Sequence, residues 1–183
     1  MKNFIKKYTH PHLKGIFRLM CRKLKRPIIN YYKTNYTENV LISHITYCFR
    51  KGIDLTHTNQ VEALEVARVF KELGYNVDIV DYYFEGNLKY NKYSVIFGFG
   101  EPLINSFYST NNKIIRIYYG TGMHVIHQNH ATLKRIEDVY QKKGKWILGS
   151  GRIVDKAWSA QTSLVDSIIT LGNEKVVDSY QKY

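Results

Sequence analysis

Three residues that can exchange protons or bind hydroxyl groups stand just after predicted strands. His57 lies in the polar run that follows the first strand, Glu101 follows the turn Gly98-Phe99-Gly100, and His124 follows the turn Gly120-Thr121-Gly122. A histidine with an ordinary pKa of about 6.5 can act as a general base or hydrogen-bond a hydroxyl, and a carboxylate can do the same. Each residue also has an alternative without chemistry: His57 caps a helix or faces solvent, Glu101 is an exposed loop carboxylate, and His124 is a loop histidine without a role.

Metal and dinucleotide chemistry fit the sequence poorly. His124, His127 and His130 recur every three residues, whereas a zinc helix places its two histidines at i and i+4 on one face. The two glycine turns begin like a dinucleotide fingerprint, but Leu103 and Val125 stand where the third glycine is required. Both turns also follow later strands than the fingerprint needs, and this disfavours a methyltransferase as well. The sequence therefore predicts no metal ion and no bound cofactor.

Five apolar segments predict strands that alternate with helices. The strands are predicted over Val40–Ile45, Val77–Tyr82, Tyr93–Phe97, Lys113–Tyr119 and Ser167–Leu171. The helices are predicted over 59–73, 126–142 and 155–164, with a short helix or turn over 102–109. This alternation predicts an α/β fold, a Rossmann-like mostly parallel sheet with helices on both faces. Ligands of such sheets bind beyond the carboxyl ends of the strands, so the loops of interest are 46–58, 98–102, 120–128 and 172–174.

The helix predicted after the first strand carries start and stop signals. Asn59 and Glu62 have the spacing of a capping box, and Gly74 suits the left-handed position just beyond the helix. Trp146 and Trp158 are predicted to be core or domain-interface aromatics. The helix should bury one apolar stripe, formed by Val61, Leu64, Ala67, Phe70 and Leu73.

A basic N-terminal extension is predicted over residues 1–38, ahead of a Rossmann-like domain over residues 39–183. The extension carries ten Lys or Arg residues and a single acidic one, Glu38, in a chain of net charge +12. Between Leu13 and Leu24 its apolar residues recur at three- and four-residue steps, which predicts a basic amphipathic helix ended by Pro27. Such a helix can bind an anionic membrane surface. Packing of its apolar stripe against protein is the main alternative.

The sequence predicts a cytoplasmic protein, with peripheral attachment to the inner face of the membrane through residues 1–38 left open. No apolar run approaches the roughly 20 residues of a spanning helix, and no signal-peptide pattern is present. Cys21 and Cys48 are predicted to be reduced thiols because they lack metal-ligand spacing and an extracellular context. The tyrosines are spread along the chain instead of alternating with basic residues, so we expect no nucleic-acid partner.

Three segments carry a family resemblance. The first is residues 50–60, together with the end of the following helix and the start of the next strand, Phe70–Val80. The second is the run Tyr118–His124 followed by Gln128, Asn129 and Arg135, and the third is the strand Val165–Asn173. In this order and spacing, over about residues 40–180, they resemble the N-terminal, acceptor-side domain of GT-B glycosyltransferases of the glycosyltransferase group 1 type.

The resemblance implies a transferase that moves a sugar from a nucleotide-sugar donor to a glycan or lipid-linked acceptor in surface polysaccharide synthesis. It places His124 close to the reacting sugar, and Glu101 is the second catalytic candidate. The residues expected to bind donor or acceptor are Gly52, His57, Thr58, Asn59, Thr121, Gly122, Gln128, Asn129 and Arg135.

Enzymes of this type contain a second Rossmann-like domain that holds most contacts to the nucleotide. Because this chain stops at Tyr183, we expect that C-terminal donor-binding domain to be supplied in cis or in trans. Whether the chain is an enzyme by itself is left open. The alternative is a non-catalytic Rossmann-like binding or assembly subunit of a two-chain transferase.

Overall fold

The computed structural model describes residues 20, 26–53, 57–147, 149, 151–154 and 159–183. The predicted amphipathic helix lies outside these residues apart from Met20, as do Cys21 and Trp158. The strands are β1 (Glu38–His44), β2 (Tyr75–Asp81), β3 (Val95–Gly98), β4 (Ile115–Gly120) and β5 (Ser167–Thr170). The helices are α1 (Tyr47–Lys51), α2 (Asn59–Glu72), α3 (Glu101–Ser106), α4 (Val125–Lys143), α5 (Ser159–Thr162) and α6 (Glu174–Gln181), with a 3₁₀ turn at Tyr90–Lys92.

The strands form a parallel sheet in the order β2-β1-β3-β4-β5, which confirms the predicted α/β, Rossmann-like class. All five predicted strands are present, with ends shifted by no more than two residues. The chain divides into two compact units, Met1–Ile115 and Arg116–Tyr183. Each unit has buried side chains of its own.

The core of the first unit is the apolar interior of β1, β2 and β3. Val40, Leu41 and Ile42 of β1 have no solvent exposure, because a central parallel strand is covered on both faces. Helix α2 packs onto this layer through Ala67 and Phe70, and the Phe70 ring meets Phe97 of β3 edge-on at 5.5 Å. These β-branched and aromatic side chains explain why the strands form where the sequence predicts them.

One prediction for helix α2 was wrong. The helix begins at Asn59 with Thr58 as its N-cap, and no side chain caps it, so the proposed box of Asn59 and Glu62 does not form. The tryptophan at position 146 is 56% exposed and touches Tyr140 edge-on, which excludes a core position and leaves the domain-interface prediction open.

Residues 28–36 lie along the outer edge of β2. Ile28 exchanges two backbone hydrogen bonds with Ile79, both 2.8 Å, and the Tyr31 N–H donates to the Val77 carbonyl at 2.9 Å. The Asn76 side chain accepts from the Tyr36 N–H at 3.0 Å and donates to the Tyr36 carbonyl at 2.7 Å. The segment therefore satisfies backbone groups that an edge strand would otherwise expose.

A buried carboxylate ties this edge to the strand on the far side of β1. Asp78 is 2% exposed and accepts hydrogen bonds from the Asn30 N–H at 2.7 Å and from the Tyr93 hydroxyl at 2.8 Å. The Lys92 ammonium pairs with the same carboxylate but remains partly exposed. Burial, and then the neighbouring Asp78 charge, raise the pKa of Tyr93, so its hydroxyl stays protonated and can donate. Three donors thus compensate the desolvation of one charge.

In the second unit the longest helix, α4, buries only Thr132 and Ile136 of its side chains. It ends at Gly144, whose left-handed φ of 61° and N–H bond to the Tyr140 carbonyl form a glycine C-cap. Strand β5 and helix α6 follow, and Ser179 is the buried residue of α6.

Asp78→Ala should lower the free energy of unfolding by about 3 kcal/mol, because it leaves the Tyr93 hydroxyl and the Asn30 N–H buried without an acceptor. Urea unfolding followed by circular dichroism measures the change. Lys92→Met is the matched control and should cost less than about 1 kcal/mol, since its pair with Asp78 is screened by solvent. Equal costs for the two variants would contradict this description of the network.

Candidate functional site

The strand order creates a switch point at the carboxyl ends of β1 and β3. The chain leaves β1 to form β2 on one side of it and returns to form β3 on the other. In open parallel sheets with this order, ligands bind in the crevice where the connections part in opposite directions. The loop after β1 and the turn after β3 leave the sheet at that point, and both belong to the first unit.

The turn after β3 approaches β1 so closely that it requires glycine. Gly98 has a φ of 124°, and a Cβ there would overlap the carbonyl oxygen of Ser43. The Ser43 hydroxyl donates to the Phe99 carbonyl at 2.6 Å, and the Phe99 N–H donates to the Ser43 carbonyl at 3.2 Å. Gly100 (φ 90°) likewise has no space for a side chain against Tyr82. The glycines of this turn therefore serve backbone packing.

Two polar oxygens lie buried at this edge without a partner among the described residues. Thr46, the N-cap of α1, is 1% exposed and its Oγ1 makes no such hydrogen bond; Oδ1 of Asn59, in the first turn of α2, is the second. Unsatisfied buried oxygens are uncommon and mark positions where a ligand group or water can bind. The N-terminus of α2, where backbone N–H groups have no helical partner, adds donors at the same end.

The remaining predicted residues of this loop are exposed. Gly52 follows α1 with a φ of 85° and open space around it, and His57 and Thr58 lie on the surface before α2. The structure therefore brings Gly52, His57, Thr58 and Asn59 to the carboxyl end of β1, as the sequence predicts for this loop.

Glu101 begins α3, directly beyond the turn after β3. Its N–H donates to the Tyr82 carbonyl at 2.9 Å, and its side chain is partly exposed. The Tyr82 ring lies 4.8 Å from the Phe99 ring, so aromatic side chains flank the carboxylate's backbone anchor. A partly exposed carboxylate at the switch-point edge can accept a hydrogen bond from a bound hydroxyl.

His44, the last residue of β1, is a buried imidazole that sequence reasoning missed. It is 2% exposed and contacts the Phe99 ring edge-on at 5.3 Å. Burial lowers the pKa of His44 to about 4, so the ring is neutral at physiological pH. Two features of the sequence could have indicated a site here: the polar His44 at the end of a buried strand, and Thr46 two residues later.

The second unit holds His124 in a closed aromatic cluster at the start of α4. The ring is 2% exposed, stacks on Tyr183 at 5.2 Å and meets Tyr180 edge-on at 5.3 Å. Its Nε2 lies 3.1 Å from the Thr162 hydroxyl, and its N–H donates to the Ser179 hydroxyl at 3.0 Å. Burial, and then the proximity of His127, lower the pKa of His124, so this ring too is neutral.

One nitrogen of His124 is unsatisfied: Nδ1 is buried without a partner among the described residues. A neutral imidazole with one nitrogen bonded to Thr162 retains a second nitrogen that can accept or donate. The Tyr183 ring covers one face of the imidazole, whereas Nδ1 forms hydrogen bonds in the plane of the ring.

The glycine turn after β4 is occupied by a tyrosine. A Cβ on Gly120 would overlap the Tyr180 hydroxyl, and that hydroxyl donates to the Gly122 carbonyl at 3.0 Å. Thr121 beside them is exposed. The tight fit of Tyr180 accounts for Gly120 without any phosphate.

The predicted binding residues of α4 have structural contacts of their own. Asn129 exchanges two hydrogen bonds with the backbone of Val154, at 2.8 and 2.9 Å. The Gln128 N–H donates to the His124 carbonyl at 2.9 Å as part of the first helical turn. Arg135 is exposed, and among the described residues it contacts the Thr132 hydroxyl at 3.4 Å. Asn129 thus positions a loop, while Arg135 remains accessible to solvent.

Comparison with protein-family models, with curated proteins and with solved structures finds no match for this chain. Within the described residues, no three His, Cys, Asp or Glu side chains are grouped to hold a metal ion. No helix in the described part of the chain is long and apolar enough to cross a membrane. Cys48 is a buried free thiol, and burial raises its pKa.

His44 should make the protein sensitive to acid. Because its folded-state pKa of about 4 lies below the ordinary value of about 6.5, the unfolded chain takes up the proton first as the pH falls. Its contribution is complete above about pH 6.5 and is lost toward pH 4. The difference in unfolding free energy between the parent and His44→Gln should therefore change by about 3 kcal/mol between pH 7 and pH 4.

Urea unfolding at stepped pH measures this difference. His57→Gln, at an exposed histidine of the same unit, should keep the pH dependence of the parent. A His44→Gln protein with the parent's pH dependence would show that His44 is not held neutral by burial.

Proposed function

We propose that the chain is the acceptor-side domain of a glycosyltransferase of the GT-B type, which moves a sugar from a nucleotide-sugar to a glycan or lipid-linked acceptor in surface polysaccharide synthesis. The observation that carries the proposal is the switch point between β1 and β3, where the buried oxygens of Thr46 and Asn59 have no described partner. The sequence resemblance supplies the reaction, and this edge supplies a place for a hydroxylated ligand.

Transfer of a sugar from a nucleotide-sugar places two requirements on the protein. The departing nucleotide diphosphate needs hydrogen-bond donors, and the acceptor hydroxyl needs a group that takes up or shares its proton. The N-terminus of α2 offers backbone N–H groups for the first requirement. For the second, there are two alternative candidates: Glu101 at the same edge of the first unit, or neutral His124 in the second unit, whose Nδ1 has no partner among the described residues. No metal ion is needed for these roles.

Exposed apolar residues in the second unit support a partner domain. The strand β5 is exposed along most of its length, with Ile168 at 36% and Ile169 at 49%, although strands of parallel sheets are normally covered on both faces. On α4 and just beyond it, Leu133, Tyr140 and Trp146 are also about half exposed. A donor-binding domain in cis or in trans would cover such a surface. A non-catalytic assembly subunit is favoured by the same observation.

The two possibilities separate in a reconstitution experiment. If the neighbouring reading frame encodes a second Rossmann-like domain, the chain is combined with that domain, and nucleotide-sugars are screened against glycan and lipid-linked acceptors by mass spectrometry. Transfer that requires both domains supports the acceptor-side proposal. A stable complex that transfers no sugar, although the donor domain binds nucleotide-sugar, supports the assembly subunit and contradicts a catalytic role.

In the reconstituted enzyme, Glu101→Gln and His124→Gln should each lower turnover at least about tenfold, or about 1.4 kcal/mol in barrier. Glutamine is close in size to each side chain but cannot take up a proton as they can. The matched controls, Glu85→Gln and His130→Gln, alter exposed residues of the same units and should leave turnover unchanged. Full turnover by either test variant, at unchanged thermal stability, removes that residue from the mechanism.

A further inference from the structure

A cleft with polar side chains in a mostly apolar lining is located at the opposite edge of the first unit, before β3 rather than after it. One wall comes from the 3₁₀ turn that precedes β3, and the other from the segment that links α3 to β4. The cleft has a volume of about 530 Å³, which is enough for a ring-sized ligand. Because it is formed at the amino end of β3, it is separate from the switch-point edge described above.

Side-chain amides and hydroxyls join the two walls. The Asn91 amide donates to the Thr110 hydroxyl at 3.3 Å and accepts from the Ser109 hydroxyl at 2.7 Å. Asn105 lines the cleft as well and brings a second amide. Amides and hydroxyls both donate and accept hydrogen bonds, so this lining can match the paired donor and acceptor character of sugar hydroxyls.

Tyr90 forms part of the cleft wall. Its hydroxyl oxygen is buried below the surface without a partner among the described residues, and burial raises the pKa of this hydroxyl. The hydroxyl is therefore closed off from a ligand in the cleft, and Tyr90 contributes to the wall alone.

The rim carries the most exposed aromatic residue of this unit among the described ones. Tyr108 is 84% exposed and lines the cleft with its ring. An aromatic ring in this position does not contribute to a core, but it can cover the apolar C–H face of a sugar ring while the amides bind the hydroxyls.

We propose that this cleft is a carbohydrate-binding subsite, in which Tyr108 stacks on one sugar ring and Asn91 and Asn105 bind its hydroxyl groups. Lys89, the charged residue among the eight described residues that line the cleft, can also pair with an acidic sugar. The subsite does not depend on transferase activity, because it would bind a glycan away from the carboxyl edge of the sheet.

The test uses ligand-observed saturation-transfer NMR on the full chain. The probes are the methyl glycosides of glucose, galactose, N-acetylglucosamine and glucuronate. We expect at least one to bind, Tyr108→Ala to weaken it at least about fivefold, and Tyr108→Phe to retain it because the ring is preserved. Tyr108 is so exposed that its removal should leave thermal unfolding unchanged.

Two exposed tyrosines provide matched controls. Tyr36→Ala changes a 42% exposed ring elsewhere in the unit, and Tyr47→Ala a 45% exposed ring in α1, beside the switch-point edge. Both should bind the glycosides like the parent. Absence of binding by all four glycosides overturns the subsite. Binding that survives Tyr108→Ala also overturns it, and binding lost in Tyr47→Ala would instead place the sugar at the carboxyl edge.

Discussion

The carbonyl oxygen of Ser43 leaves no room for a side chain on Gly98, and this close approach joins β1 to β3 where both strands end. The Ser43 hydroxyl and the Phe99 N–H then fix the turn that leads into α3. Because Glu101 follows that turn directly, its place at the sheet edge is a consequence of backbone packing. Thr46 and the N-terminus of α2 approach the same edge from β1, so the switch point depends on this junction.

On the opposite side of β1, polar side chains of β2 stabilise the sheet edge. Asn76 and Asp78 of β2 bind the backbone of residues 28–36, and Asp78 also accepts from Tyr93 just ahead of β3. Polar groups that face an edge strand are thereby satisfied by the chain itself. In the second unit tyrosines provide the contacts instead: Tyr180 fills the space beside Gly120, and the Tyr183 ring stacks on the His124 ring. The two candidate bases are therefore positioned differently: Glu101 by the packing of strand ends, and His124 by the aromatic rings around it.

The strands and the loops at their carboxyl ends could be predicted from sequence because apolar, β-branched runs are local signals. Two short helices, α1 and α6, were missed: in α1 the buried Cys48 and Phe49 are adjacent in sequence and give no helical stripe, and α6 has only eight residues. The burial of His44 and His124 could not be predicted, since Phe99 and Tyr183 cover them from 55 and 59 positions away. The predicted stripe of α2 likewise failed at Val61 and Leu73, which are exposed.

The junction at Gly98 is tested most directly by comparing two glycine-to-alanine variants. Gly74 also has a positive φ, 87°, but open space surrounds it, so Gly74→Ala introduces backbone strain alone. Gly98→Ala introduces strain and a clash with the Ser43 backbone, and it should lower the unfolding free energy by at least about 2 kcal/mol more than Gly74→Ala. Equal losses in urea unfolding would show that β1 and β3 do not meet this closely, and the switch-point site would lose its structural basis.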